Sequence, residues 1–371
     1  MKTSLLLRSL ILFALLLPIL ARSQEQPVDF DKARQIIERH QRGETVSAAE
    51  EAYVKRAKAE RKKQQGEGNA KGAPPSPNAA FAGHLTPLTE LGTAKYKGED
   101  GGLYGGGSNE PPKPHLDAAM KEAAQIQPLN AAGKPSADGK IGFVSVGMSN
   151  TTMEFSRLKQ LADQDPAKSS RVTIIDAAQG GQTAMHWADP KSPLWTKVDE
   201  RIKSADLSDP QIQVAWMKQA EARPEQYGEF PKHARQLQEN LVTSLRNLKA
   251  KFPNLRLVYL SSRIYGGYAT TSLNPEPFAY EEAFSMRWLL QDQISGKPEM
   301  KGLPLLLWGP YLWADGETPR KADGLNYRRE DFSAGDGTHP ADAAREKVAQ
   351  LLLTFLKTDA TAKVWFTGVA P

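Results

Sequence analysis

The chain has 371 residues, 40% hydrophobic and 25% charged, a balance that excludes wholesale disorder, collagen and coiled coil. It has no cysteine, which excludes a disulfide scaffold, thiolate metal sites, iron–sulfur clusters, a cysteine nucleophile and a lipoprotein anchor. Three of the five surplus positive charges, Lys2, Arg8 and Arg22, lie in a leading segment without acidic residues, so the surplus does not point to nucleic acid.

That leading segment has a recognisable form. Lys2 and Arg8 precede or open an apolar run over 10–20, and the triplet Ala21-Arg22-Ser23 follows it. A positive start, a short greasy core and a small–x–small triplet predict a signal peptide over 1–23, with export to the periplasm or beyond. The run is shorter than the roughly 20 apolar residues needed to span a bilayer. No later stretch is long and apolar enough, so no membrane span is expected after cleavage.

Residues 24–65 read as a helical hairpin. Phe30, Ala33, Ile36 and Ile37 recur at helical spacing, and Gly43 marks a stop. Ser47 and Glu50 form a capping box for the second helix, which ends in Arg61, Lys62 and Lys63. Cations there suit the negative end of the helix dipole better than a polyanion-binding role. Residues 66–135 are expected to be a linker, partly draped over the following domain, rich in Gly, Pro, Ser and Asn and including Pro74-Pro75-Ser76-Pro77 and Gly105-Gly106-Gly107. The glycine run lacks the Lys-Ser/Thr of a phosphate-binding loop.

From 136 to 360 the pattern changes to apolar runs alternating with amphipathic stretches. Strands are predicted over 140–147, 171–176, 211–217, 255–260 and 303–308. The clearest helix places Ala234, Leu237, Leu241, Leu245, Leu248 and Phe252 at steps of three and four, and Pro253 ends it. Strict alternation predicts an α/β fold, a mostly parallel five-stranded sheet with helices on both faces. Residues 361–371 are expected to be a tail.

Ligands of an open parallel sheet bind at the carboxyl ends of its strands. The first strand runs into Ser149, whose hydroxyl sits in a strand-to-helix turn either as a nucleophile or as a helix cap. The second runs into Gly180-Gly181, which leaves a backbone N–H open to a reacting carbonyl or simply makes a turn. Past the third, the amide of Gln219 is either a further donor or a surface group. The last loop carries Asp336 and His339, three apart, so that the carboxylate can hold one imidazole nitrogen while the other faces a nucleophile. Each feature is commonplace alone. Together, on one edge of one sheet, they predict a Ser-His-Asp acyl-transfer site.

The arrangement resembles the SGNH (GDSL-like) hydrolase superfamily over roughly 136–360. The resemblance implies a flavodoxin-like three-layer α/β/α sandwich, Ser149 as nucleophile, Gly181 as oxyanion donor, and Asp336 with His339 completing the triad. Met148 stands where the family usually has aspartate. The third block, Trp216-Met217-Lys218-Gln219-Ala220-Glu221, is similar to the Trp-x-Gln-Gly-Glu variant of sialate and plant carbohydrate acetylesterases. That makes Gln219 the second oxyanion donor, with Lys218 the competing candidate.

Trp187, Trp195, Trp308, Tyr311 and Trp313 fall on or near the predicted loops, where aromatic faces either stack on sugar or pack. Of these, Trp187 and Trp308 are taken as substrate contacts. So are Arg263 and Tyr265 past the fourth strand, with Arg263 binding an acidic sugar or pairing with a carboxylate. His186 has no partner at metal-ligand spacing and no His-Glu-x-x-His cluster exists, so neither metal nor cofactor is expected. The function expected is an exported serine esterase removing small acyl groups, acetyl first, from a small-molecule or polysaccharide ester. The alternatives are a lipid-directed esterase or lysophospholipase, and a non-catalytic glycan-binding protein of the same fold. The sequence does not speak to oligomeric state.

Overall fold

The computed structural model describes residues 83–368, residues 46–67 and positions 28, 29, 33 and 36. The expected signal peptide, most of the first hairpin helix and residues 68–82 lie outside the described residues. The chain divides into two units, 1–73 and 74–371. In the first, helix α1 (Ala48–Glu67) opens on the Ser47–Glu50 capping box, with Ser47 N–H donating to the Glu50 carboxylate at 2.9 Å.

The second unit is built on five strands: β1 (Ile141–Gly147), β2 (Val172–Ile175), β3 (Ile212–Lys218), β4 (Leu257–Leu260) and β5 (Leu305–Trp308). All pair in parallel in the order β2-β1-β3-β4-β5. Every residue of β1, β3 and β4 is buried, which is why these strands read as unbroken apolar runs rather than alternating ones. The period-two alternation persists underneath. Val144, Val146, Ala215, Met217, Val258 and Leu260 face one layer; Phe143, Val214, Trp216, Leu257 and Tyr259 face the other.

Between β strands run α3 (Ser149–Gln164), α4 (Ala184–Ala188), α5 (Leu194–Ser204), α6 (Lys232–Lys251) and α7 (Phe278–Ile294), preceded by α2 (Lys113–Ala124) and followed by α8 (Asp342–Thr358) and α9 (Ala360–Phe366). Helices α4 to α7 cover the first face; α2, α3, α8 and α9 cover the second. The result is a three-layer α/β/α sandwich of flavodoxin-like strand order. Its topological switch point lies between β1 and β3, so the carboxyl end of β1 is where a ligand crevice is expected.

Two boundaries differ from expectation. The described part of the 66–135 segment is packed structure: Leu88 and Leu103 are buried, and the Trp308 indole donates to the Leu103 carbonyl at 2.6 Å. Its glycines fold the chain tightly. Gly102 takes φ +83°, and a Cβ there would fall 2.4 Å from Ser108 N. At the other end, α9 is capped by the Asp359 side chain and buries Trp365 and Phe366, so the fold continues to Phe366, into the expected tail.

Candidate active site

Strand β1 delivers Ser149 as the first residue of α3. Its hydroxyl lies 2.8 Å from Nε2 of His339, 190 positions further on. His339 Nδ1 lies 2.5 Å from Oδ2 of Asp336. Burial works against ionising Asp336. The His339 ring and the N–H groups of His339 and Thr338 outweigh it by donating to the carboxylate, bringing its pKa down to about 2. An ionised Asp336 fixes the proton on Nδ1, which leaves Nε2 to accept from Ser149.

The loop that carries this pair is held at several points. Thr270 N–H donates to the Asp336 carbonyl at 2.8 Å, and Ser333 N–H to the His339 carbonyl at 2.8 Å. Between them, Gly337 adopts φ +61° with a hypothetical Cβ only 1.8 Å from the Tyr268 carbonyl, so only glycine fits. Asn150, next to Ser149, donates to the Thr338 carbonyl at 3.0 Å and locks the two segments together.

Gly180 lies beside the serine, its hypothetical Cβ 3.9 Å from Ser149 Cβ, and both Gly180 and Gly181 are exposed. The loop is anchored at its base, where Gln179 N–H donates to the Gly147 carbonyl at 3.1 Å. Gln219 follows directly on the β3 residue paired with Gly147. It is fully buried, and neither atom of its amide has a hydrogen-bond partner.

Lys218, the competing candidate, is engaged elsewhere. Its ammonium lies 2.5 Å from Oε1 of Glu154 on α3, and both side chains are fully buried. Burial lowers the lysine pKa to about 8 and raises that of Glu154, while the attraction between them opposes both shifts. The pair binds α3, which opens on Ser149, to β3, as does Thr151, whose hydroxyl donates to the Lys218 carbonyl at 2.7 Å.

Two expected substrate contacts are corrected. Trp187 is wholly buried and its indole donates to the Gly147 carbonyl at 3.2 Å, bracing the end of β1 from below. Trp308 is 5% exposed and is covered by the 83–110 segment through its bond to Leu103. Tyr311 and Trp313 are buried likewise. Of the remaining pair, Tyr265 is half-buried against Tyr268, with ring centroids 5.2 Å apart, and Arg263 is buried past β4.

Sequence reasoning missed Asp176 at the end of β2. This half-buried carboxylate accepts from Ser145 on β1 at 2.6 Å and from Ser156 on α3 at 2.8 Å, with Thr152 as a third donor. It ties both elements flanking Ser149 to the base of the glycine loop. A serine inside the apolar run of β1, and hydroxyls four apart on α3, were the available signals. Among the described residues no group of three or more His, Asp or Glu could hold a metal ion, and no helix is long and apolar enough to cross a membrane.

No family model matches the chain, and no curated protein does. Solved structures offer slight likenesses. A Bacteroides fragilis protein provisionally described as an acylhydrolase shares 15% identity, with 66% of this chain and 97% of that one covered and a TM-score of 0.33. The salicylyl-acyltransferase SsfX3 of a tetracycline biosynthetic pathway shares 14%, covering 62% and 58%, at 0.35. Protein YxiM of Bacillus subtilis shares 16%, covering 60% of this chain, at 0.33. The chain spans 57% of the length of YxiM.

Proposed function

We propose that the chain is an exported serine ester hydrolase of the SGNH type that removes small acyl groups, acetyl foremost, from carbohydrate. The observation that carries this reading is the unbroken sequence Ser149 Oγ, His339 Nε2, His339 Nδ1, Asp336 Oδ2, with steps of 2.8 and 2.5 Å between residues. Ser149 Oγ adds to the ester carbonyl as its proton passes to His339. The oxyanion is met by the N–H groups of Ser149 and Gly181 and by the Gln219 amide, whose lack of any other hydrogen-bond partner supports that role. Collapse expels the alcohol, protonated by His339. Water then attacks the acyl-serine, giving its proton to the same imidazole, which passes it to Ser149 Oγ as the bond to the acyl group breaks and the acid leaves. Asp336 stabilises the imidazolium throughout.

Incubation with a fluorophosphonate tests the reading. A covalent adduct mapped to Ser149 in the wild type and lost in His339→Ala supports it; an unlabelled wild type overturns it. Acetate release from a panel of acetylated polysaccharides then defines the alcohol. Amino-terminal sequencing of protein recovered outside the cytoplasm tests export, with a start at Gln24 expected.

A further inference from the structure

The described residues bury three arginines, and two of them are neutralised. Arg287 pairs with Glu99 and Asp100, and Arg320 with Asp323. Arg263, only 2% exposed, has no carboxylate within ion-pair distance among the described residues; its sole hydrogen bond runs from Nε to Asn274 Oδ1 at 3.2 Å. Its terminal nitrogens are not among the fully enclosed polar atoms that lack a partner, so the residual exposure falls on them.

No carboxylate pairs with this charge directly: Glu282, Glu154 and Glu276 act on it from beyond ion-pair distance. Glu154 is engaged by Lys218. Burial raises the Glu282 carboxyl to about 8 and that of Glu276 to about 7, so neither supplies a full negative charge at neutral pH. Asn274 holds Arg263 with its carbonyl oxygen and donates to Glu282 at 2.9 Å, from a backbone at φ +149° that a non-glycine residue rarely adopts. A buried cation left unpaired costs stability, and strain spent on aiming it adds to the cost; both point to a ligand.

The position is beside the candidate site. Ser261 N–H continues the ladder to the Met217 carbonyl, which puts residues 262 and 263 one row from Gln219 and two from the end of β1. Arg263 also acts electrostatically on both Lys218 and Glu154 beneath Ser149. Around it, Gln219, Glu221, Ser262 and Glu282 hold five buried polar atoms without a partner among the described residues, so unmet hydrogen-bonding capacity is concentrated on this edge.

We propose that Arg263 seats an oxyanion substituent of the substrate, a carboxylate, sulfate or phosphate, so that the ester acted on belongs to an acidic molecule. Calling that molecule the substrate rests on the hydrolase reading; the anion site does not.

Thermal denaturation of the full chain tests it, at constant ionic strength, with sodium D-glucuronate, sodium sulfate or neutral D-glucose. The wild type should be stabilised saturably by glucuronate or sulfate and not by glucose, and Arg263→Gln should bind the effective anion at least tenfold more weakly. Glucuronate alone acting specifies a carboxylate; sulfate alone acting specifies a tetrahedral anion. Without ligand, Arg263→Gln should melt no lower than wild type, whereas a structural arginine would lower the midpoint. A flat response of the wild type to both anions, or an unchanged response in Arg263→Gln, overturns the proposal. Should that variant not fold, the wild-type arms still decide. An anion response with no fluorophosphonate adduct at Ser149 means the hydrolase reading has failed and the anion site stands; an adduct with no anion response means the reverse.

Discussion

The bodies of the strands and their carboxyl ends are a few residues apart and obey different rules. Within β1, Phe143, Val144 and Val146 are all but fully buried in the two apolar layers. Just beyond it come a half-exposed serine, a buried amide with no partner on the next strand and an unpaired arginine on the one after. The first region is satisfied throughout. The second holds groups whose partners are missing or strained, which is the pattern expected where a surface has been shaped for a ligand rather than for stability. If this division is right, substitutions in the two regions should separate activity from stability.

The largest effect belongs to the ends. Ser149→Ala and His339→Ala should each lower kcat/KM on an acetyl ester by about 10⁴-fold or more. Ser149→Ala should stay within about 0.5 kcal/mol of wild-type stability, since its side chain does not fill the core, and His339→Ala should lose no more than about 1–2 kcal/mol, the amount that its hydrogen bond to Asp336 supports. Steady-state kinetics alongside urea denaturation measures both. A Ser149→Ala protein that still turns over would break the division at its centre.

The converse is Phe143→Ala in the body of β1. This side chain is 1% exposed and packs edge-on against Phe155 and Trp365. Its truncation should cost about 3–5 kcal/mol of unfolding free energy. Turnover per folded molecule should be unchanged under conditions where the protein remains native, because the strand still ends at the same place.

The same division governs what could be read from sequence. The five strands were legible because parallel strands covered on both faces need apolar residues at every position, and such runs stand out. Ser149, Asp336 and His339 were legible because each follows a strand or precedes a helix in a tight turn. The 83–110 segment was not: its glycines looked like chain freedom, whereas Gly102 is needed for a turn that closes against Ser108. Trp187 and Trp308 were misread because proximity in sequence to a strand end does not say which way an indole points; both turn inward to backbone carbonyls. The Lys218–Glu154 and Asp176 networks join positions 20 to 64 apart, and no local pattern encodes such pairings.

Gln219→Ala sharpens the comparison, because activity and stability should move apart. Losing an oxyanion donor should lower kcat by about 10²–10³-fold with little change in KM. The same substitution removes two buried polar atoms that have no partner, so unfolding free energy should hold or rise. A fall in stability with kcat intact would mean that the amide is structural and that Gly181 and Ser149 supply the oxyanion hole alone.

The smallest effect is a pH dependence that only the ends should show. The folded-state pKa of Asp336, about 2, lies below the 3.8 of an unperturbed aspartate. As pH falls, the unfolded chain therefore takes up this proton before the folded one does. The carboxylate's contribution to stability is complete above pH 4 and disappears as pH drops through 2, an amount of about 1–2 kcal/mol for a group this partly exposed. Asp336→Asn has no such proton to bind. Its unfolding free energy should be lower than wild type at pH 6 by that amount, and most of the gap should be gone at pH 2. Denaturant titrations at the two pH values read it directly. A gap that stays constant would show that Asp336 acts through loop geometry rather than through its charge on His339.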